Sequence, residues 1–221
     1  MVLERYRGWA SRYLERLSEP YLSWNPNHLS ALAFGLVGAA AVLTGLVRST
    51  TPLLFFPAAV LVFLGGLYDV LDGEVARRTH RASARGDFLD HVLDRYADVV
   101  LLLGIAVCGY ASPILALLAL VTLLLVSYMG TQAQAVGIGR EYRGLLSRAD
   151  RLILITAALL LEFLFVIPWP WAPSTPWARF TVGGFTFTII DVVLVYFVIA
   201  GQITAATRAR STFRALPPPT E

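Results

Sequence analysis

Six apolar stretches, each near the length needed to cross a bilayer, take up most of this 221-residue chain. A membrane-spanning helix needs about 20 consecutive, mostly apolar residues. Backbone polar groups have no partners in hydrocarbon, so a chain of this kind must satisfy them within helices or closed barrels. Runs this long point to helices. Composition agrees, with 57% hydrophobic and only 15% charged residues, against about 25% charged in a soluble domain. The expected fold is all-α: a polytopic membrane protein with six transmembrane helices and an N-terminal interfacial amphipathic helix.

The expected spans are 29–47, 53–75, 88–110, 113–135, 151–166 and 185–207. Residues 1–24 interleave arginines (Arg5, Arg7, Arg12, Arg16) with Trp9, Tyr13, Leu14 and Leu17, the pattern of a helix lying in the membrane interface rather than a signal peptide. Pro20 and the following "SWNPNHLS" break that helix, with Asn27 or Ser30 as cap of the next. Residues 25–210 form one membrane domain. Residues 211–221, ending in "RALPPPTE", read as a disordered tail, and "PWPWAPSTPW" at 168–177 as an interfacial turn. The glycines of the first span, Gly35 and Gly38, suggest close helix packing.

All 18 basic residues are arginine, so lysine Schiff-base chemistry is excluded, and the single cysteine, Cys108, excludes an internal disulfide and a thiolate metal cage. Sixteen arginines fall on one side of the six-span arrangement; only Arg48 and Arg179 fall on the other. Positive charge marks the cytoplasmic side. The expected location is the cell membrane, multi-pass, with both termini in the cytoplasm.

Seven of the 15 acidic residues lie between positions 69 and 98, where the second span ends and the third begins. At roughly 100° per residue, Asp69, Asp72, Gly73 and Ala76 share one helix face, while Gly86, Asp90 and Asp94 share another. Two antiparallel neighbours carrying these faces would bring four carboxylates together. Four anions cannot cluster in a low-dielectric site without protonation or a counter-charge. Oxygen-seeking divalent ions, Mg²⁺ or Mn²⁺, suit such a donor set. The plainer alternative is a solvated acidic patch paired with nearby arginines, which would not need glycine and alanine among the aspartates.

"DVLDGEVARRTHRASARGDFLDHVLD" resembles the signature of the CDP-alcohol phosphatidyltransferase family, D-x2-D-G-x2-A-R-x8-G-x3-D-x3-D. All eight fixed positions are present: Asp69, Asp72, Gly73, Ala76, Arg77, Gly86, Asp90 and Asp94. The resemblance implies transfer of a phosphatidyl or archaetidyl group from a CDP-linked lipid to a polar alcohol, with release of CMP, at a cytoplasmic site. It implies metal held by Asp69, Asp72, Asp90 and Asp94, two ions per active site, and Asp94 as general base. CDP would lie against Asp69, Asp72, Gly73, Ala76, Arg77 and Gly86. His91 is one helical position from Asp90 and is expected to point elsewhere. The family also tends to form homodimers. The other partners expected are the lipid bilayer and the two substrates, with no nucleic acid.

The stretch "GTQAQAVG…GLLSRADR" within 127–152 resembles the branch of the family that uses inositol 1-phosphate. Arg148 and Arg151, three apart at the opening of the fifth span, suggest a fork for the acceptor's phosphate. Gln132 and Gln134 suggest partners for inositol hydroxyls. Glycerol 3-phosphate or serine would serve the same chemistry as acceptor. The alternative of another class is an ion-coupled transporter, although no internal repeat supports it. A transferase acting on prenyl diphosphates is a third reading, but its usual D-D-x-x-D pattern is not what this chain carries.

Overall fold

The structure, a computed structural model, describes residues 13–139, 144–166, 179–183 and 185–217. Six long helices carry the fold: α1 (Pro26–Leu46), α2 (Phe55–Arg78), α3 (Ala84–Val107), α4 (Pro113–Ala135), α5 (Arg148–Val166) and α6 (Ile189–Ala215). Their starts follow local cap chemistry. Asn25 accepts the amide of Asn27 and Pro26 opens α1, so the cap precedes both residues expected for it. Ser83 accepts the amide of Gly86 and starts α3 four residues before the expected Phe88. Ser147 and Asp150 bond reciprocally at the start of α5, which begins at Arg148 rather than Arg151. Each such cap satisfies donors that a helix start otherwise leaves open.

Residues 13–18 are helical and run into a 3-10 turn, Glu19–Tyr21, that contains Pro20. The rest of the expected interfacial helix, with Arg5, Arg7, Trp9 and Arg12, lies outside the described residues, as does the 168–177 turn. The described part is tied to the end of α2. Arg78 donates to the Glu15 carbonyl (2.6 Å) and to Ser18 Oγ (2.7 Å), and the Tyr21 and Tyr68 hydroxyls meet at 3.0 Å.

Three further expectations are corrected. A hairpin, β1 (Arg179–Val182) paired antiparallel with β2 (Phe185–Thr188), occupies residues where the sixth span was expected to begin. "RFTVGGFTFT" alternates β-branched and aromatic residues about a glycine pair, and Gly183 takes a positive φ of 59°, which suits a two-residue hairpin turn. At the other end, α6 continues to Ala215, five residues into the expected tail, and Pro217 follows. Gly35 and Gly38 have nothing within 4 Å of where a Cβ would stand. Glycines that do stand at close crossings include Gly65, whose Cβ would come within 2.6 Å of Val37, Gly104, which lies against the Ala41 carbonyl, and Gly201 of α6, whose Cβ would come within 2.4 Å of Thr122 of α4.

The principal contacts arrange the helices in a closed circuit, α1–α2–α5–α6–α4–α3 and back to α1. The two helices carrying the carboxylates are therefore not direct packing neighbours; α1 stands between them and touches both. Among the described residues, four helices are long and apolar enough to cross a membrane: Pro26–Ser49, Pro52–Arg78, Pro113–Ala135 and Ile189–Ala215. The other two long helices have charge spread along them: Arg85, Asp87, Asp90, Asp94, Arg95 and Asp98 in α3, and Arg148, Asp150, Arg151 and Glu162 in α5. At the end of the bundle away from the carboxylates, Asp191 accepts bonds from the backbone and hydroxyl of Thr188 and from the Ser112 amide at 2.7 Å. It thereby joins the starts of α4 and α6, next to the fully buried Glu162.

Candidate active site

The last turns of α2 and the first of α3 meet over the end of α1. One carboxylate oxygen from each of Asp69, Asp72 and Asp90 lies within 4.8 Å of the others, and the same holds for ligand atoms of Asp90, His91 and Asp94. Asp72 and Asp94 are buried, and Asp72 Oδ2 is enclosed without a hydrogen-bond partner. A buried carboxylate oxygen left unpaired is costly. Such an oxygen, within a cluster of like charges, is what a divalent cation would satisfy. The donors are all hard oxygens apart from the His91 ring, so the set fits Mg²⁺ or Mn²⁺.

The cluster separates two cavities. The first, about 200 Å³, is lined by Asp72, Gly73, Ala76, Arg77, Gly86 and Asp90, with Asn27 and Ser30 of α1 closing its wall. The small residues at 73, 76 and 86 leave this space open. A Cβ on Gly86 would stand 3.3 Å from Ser83 Oγ and 3.4 Å from Asn27 Oδ1. Arg77 reaches outward to Glu74 at 2.8 Å. The second cavity, about 250 Å³, contains Asp94 and is ringed by Arg95, Arg148, Arg151 and Arg208. His91 also lines it, while its ring lies 3.4 Å from Asp87 and 3.8 Å from Asp90.

The α5 arginines differ in their surroundings. Arg148 bridges carboxylates from both signature helices, pairing with Asp69 and Asp94 through one nitrogen. Arg151 is 3% exposed and donates to Asp98 at 2.9 Å. Gln132 and Gln134 are both exposed. Gln134 borders a separate crevice between α3 and α4, beside Phe88 and Tyr128, and Gln132 lines none of these cavities. Sequence reasoning missed Arg208, Arg95 and Asp98. Arg208 is far from the aspartates in the chain, so no local spacing marks it. Asp98, one turn beyond Asp94, was visible in the acidic run but had no partner assigned. A fourth cavity, about 200 Å³ and almost wholly apolar, runs between α2 and α5 with Asp69 at its head and Phe63, Leu67 and Ile153 along it.

A sequence profile described as CDP-alcohol phosphatidyltransferase matches residues 24–190. An archaetidylinositol phosphate synthase of Methanothermobacter thermautotrophicus is 42% identical over 111 residues, a stretch that is 50% of this chain and 56% of that protein. The matched stretch is therefore only about half of each. The archaetidylinositol phosphate synthase of Pyrococcus horikoshii is 30% identical over 72% of this chain and 82% of its own length. Crystal structures of the Mycobacterium tuberculosis phosphatidylinositol phosphate synthase share the fold. The one with CDP-DAG bound superposes with a TM-score of 0.68 at 23% identity, covering 91% of this chain and 94% of that one. Another, in complex with manganese and citrate, gives 0.67 at 24% identity, covering 92% and 87%. Profile and relatives decide between the transferase and the transporter weighed above. This membrane protein belongs to the CDP-alcohol phosphatidyltransferase family.

Proposed function

We propose that the enzyme transfers the phosphatidyl or archaetidyl group of a CDP-linked lipid to inositol 1-phosphate and releases CMP. The observation that carries this reading is the pair of cavities on either side of one carboxylate cluster. One is open, glycine-walled and bordered by Asp72 and Asp90; the other holds Asp94 within a ring of arginines. The relatives named for inositol phosphate products support the same acceptor.

In this reading CDP occupies the first cavity, where Gly73 and Ala76 let it lie close to α2. The lipid chains follow the apolar groove below Asp69. Asp69, Asp72, Asp90 and Asp94 would hold Mg²⁺ or Mn²⁺, two ions per site, which would supply positive charge against the diphosphate and against the charge that builds on departing CMP. Asp94 takes the proton of the acceptor hydroxyl. That oxygen forms a bond to the lipid-linked phosphorus as the bond between this phosphorus and the CMP oxygen breaks. The acceptor's own phosphate lies among Arg148, Arg95 and Arg208, and draws Arg148 away from at least one of its two carboxylates. These arginines favour a phosphorylated acceptor over serine.

The deciding experiment incubates purified protein with CDP-archaeol or CDP-diacylglycerol and each candidate alcohol, and identifies the lipid product by mass. Inositol 1-phosphate should react best and free inositol poorly. Equal or better reaction with glycerol 3-phosphate or serine would replace the acceptor and leave the aspartate chemistry intact. In the same assay Arg148→Ala should raise the acceptor KM about ten- to a hundredfold, the loss of one charge-assisted contact, with the CDP-lipid KM nearly unchanged. Lysine at 148 should rescue only partly, since it lacks the planar fork. Arg151→Ala leaves the buried Asp98 with Arg95 as its remaining described cation and should instead lower stability by about 1.5–3 kcal/mol, the scale of one hydrogen bond to a charged group.

The topology belongs to the same proposal: six spans, both termini and the site cytoplasmic, in the cell membrane. Thiol labels introduced at both termini and in the 79–83 link should react from the cytoplasmic side, and labels in 168–177 should not. The inverse pattern would overturn the orientation drawn from the arginines. The homodimer implied by the family resemblance is tested by crosslinking in membranes.

A further inference from the structure

Asp98 lies outside the eight-position signature, yet it is buried beside the site. Its Oδ2 accepts from Arg151 at 2.9 Å and pairs with Arg95 at 3.0 Å. These two cations come from different helices, α5 and α3, and both line the arginine-ringed cavity. Arg95 already stands between two anions, because its other terminal nitrogen is 3.9 Å from Asp94 Oδ2. Asp94 is in turn engaged by Arg148. Two guanidinium groups, Arg148 and Arg95, therefore face one carboxylate of the cluster. Asp98 engages Arg95 from the other side and is itself anchored by Arg151.

We infer that Asp98 is a positioning residue that holds Arg95 away from Asp94, and so keeps the cluster free to bind a divalent cation. This rests on the metal reading above and extends it. Metal and guanidinium compete for the same oxygens, so a cation released beside Asp94 acts as an internal competitor. Without the Asp98 charge, the nearest anion to Arg95 is Asp94, at the distance already given. Arg148 is the one arginine of the three whose described carboxylate partners all belong to the cluster, so it is the one that metal must displace. Asp98 keeps that displacement from having to be repeated for Arg95.

The test is Mn²⁺ binding to purified protein in detergent, read from the paramagnetic signal of the free ion, with no substrate present. Wild type should bind and Asp90→Asn, which removes a donor, should not. Asp98→Asn should weaken Mn²⁺ binding about ten- to a hundredfold, the usual scale for groups that orient metal ligands, while Asp98→Glu should stay near wild type. Asp98→Asn combined with Arg151→Gln removes both charges of the buried pair and guards against a variant that fails to fold. It should bind as weakly as the single variant. Adding Arg95→Gln to either should restore affinity, a recovery that a purely structural role would not produce. Wild type that binds no Mn²⁺ would overturn the metal reading itself. Normal binding by both Asp98 variants, or weak binding that Arg95→Gln fails to relieve, would overturn the role of Asp98 alone.

Discussion

Asp69→Asn, Asp72→Asn and Asp90→Asn should each lower turnover by on the order of 10³-fold, since a metal at such a site supplies several kcal/mol of charge stabilisation. Excess chelator should do the same to wild type, and Mg²⁺ or Mn²⁺ should restore it. The expectation follows from the crowding of Asp69, Asp72 and Asp90, whose ligand atoms lie within 4.8 Å of one another. Asparagine keeps the shape and removes the charge, so it separates charge from packing. Asp72→Asn is the cleanest of the three, because its Oδ2 has no protein partner to lose. Asp69→Asn also frees Arg148 from one of its two carboxylates, so part of its effect belongs to the arginine. CMP release measured with and without added metal tests all three. Full activity in excess chelator would remove metal from the reaction.

Asp94→Asn should lose about 10²- to 10⁴-fold in kcat, the range for a positioned general base, while CDP-lipid binding persists. The separation is possible because Asp94 borders the arginine-ringed cavity and not the glycine-walled one. The measurement is kcat beside direct binding of the CDP-lipid. Normal turnover would move the base elsewhere. Loss of CDP-lipid binding in step with kcat would show that Asp94 serves the donor rather than the acceptor.

The two carboxylate faces could be read from the sequence because helical periodicity is local: spacings of three and four place residues on one side whatever the tertiary structure. The boundaries of α4 could be read for the same reason, with Ser112 as its cap and Pro113 opening it. The hairpin at 179–188 could not, because a short aromatic and β-branched run beside a long apolar helix looks like that helix's first turn. Gly35 and Gly38 misled for a related reason. A glycine marks a possible close approach, but which helix approaches is a tertiary fact, and here close crossings fall at Gly65, Gly104 and Gly201 instead. Arg208 and the Arg151–Asp98 pair depend on helices distant in the chain, and no one-dimensional spacing records that. Two helices read as antiparallel neighbours turn out to pack chiefly against a third, α1, and to meet at their carboxylate-bearing ends.

That third helix acts as the gauge block of the catalytic machine. Gly65 of α2 and Gly104 of α3 both press against α1, at Val37 and Ala41, so the thickness of α1 there fixes how far apart the two carboxylate-bearing helices stand. Gly65 is four residues from Asp69 and Gly104 ten from Asp94, or about 6 Å and 15 Å along a helix. A methyl group added at either crossing would splay the helices and widen the mouth between Asp72 and Asp90 without touching a ligand. Tolerance in this enzyme is therefore set in the middle of the bundle, by residues that never meet a substrate.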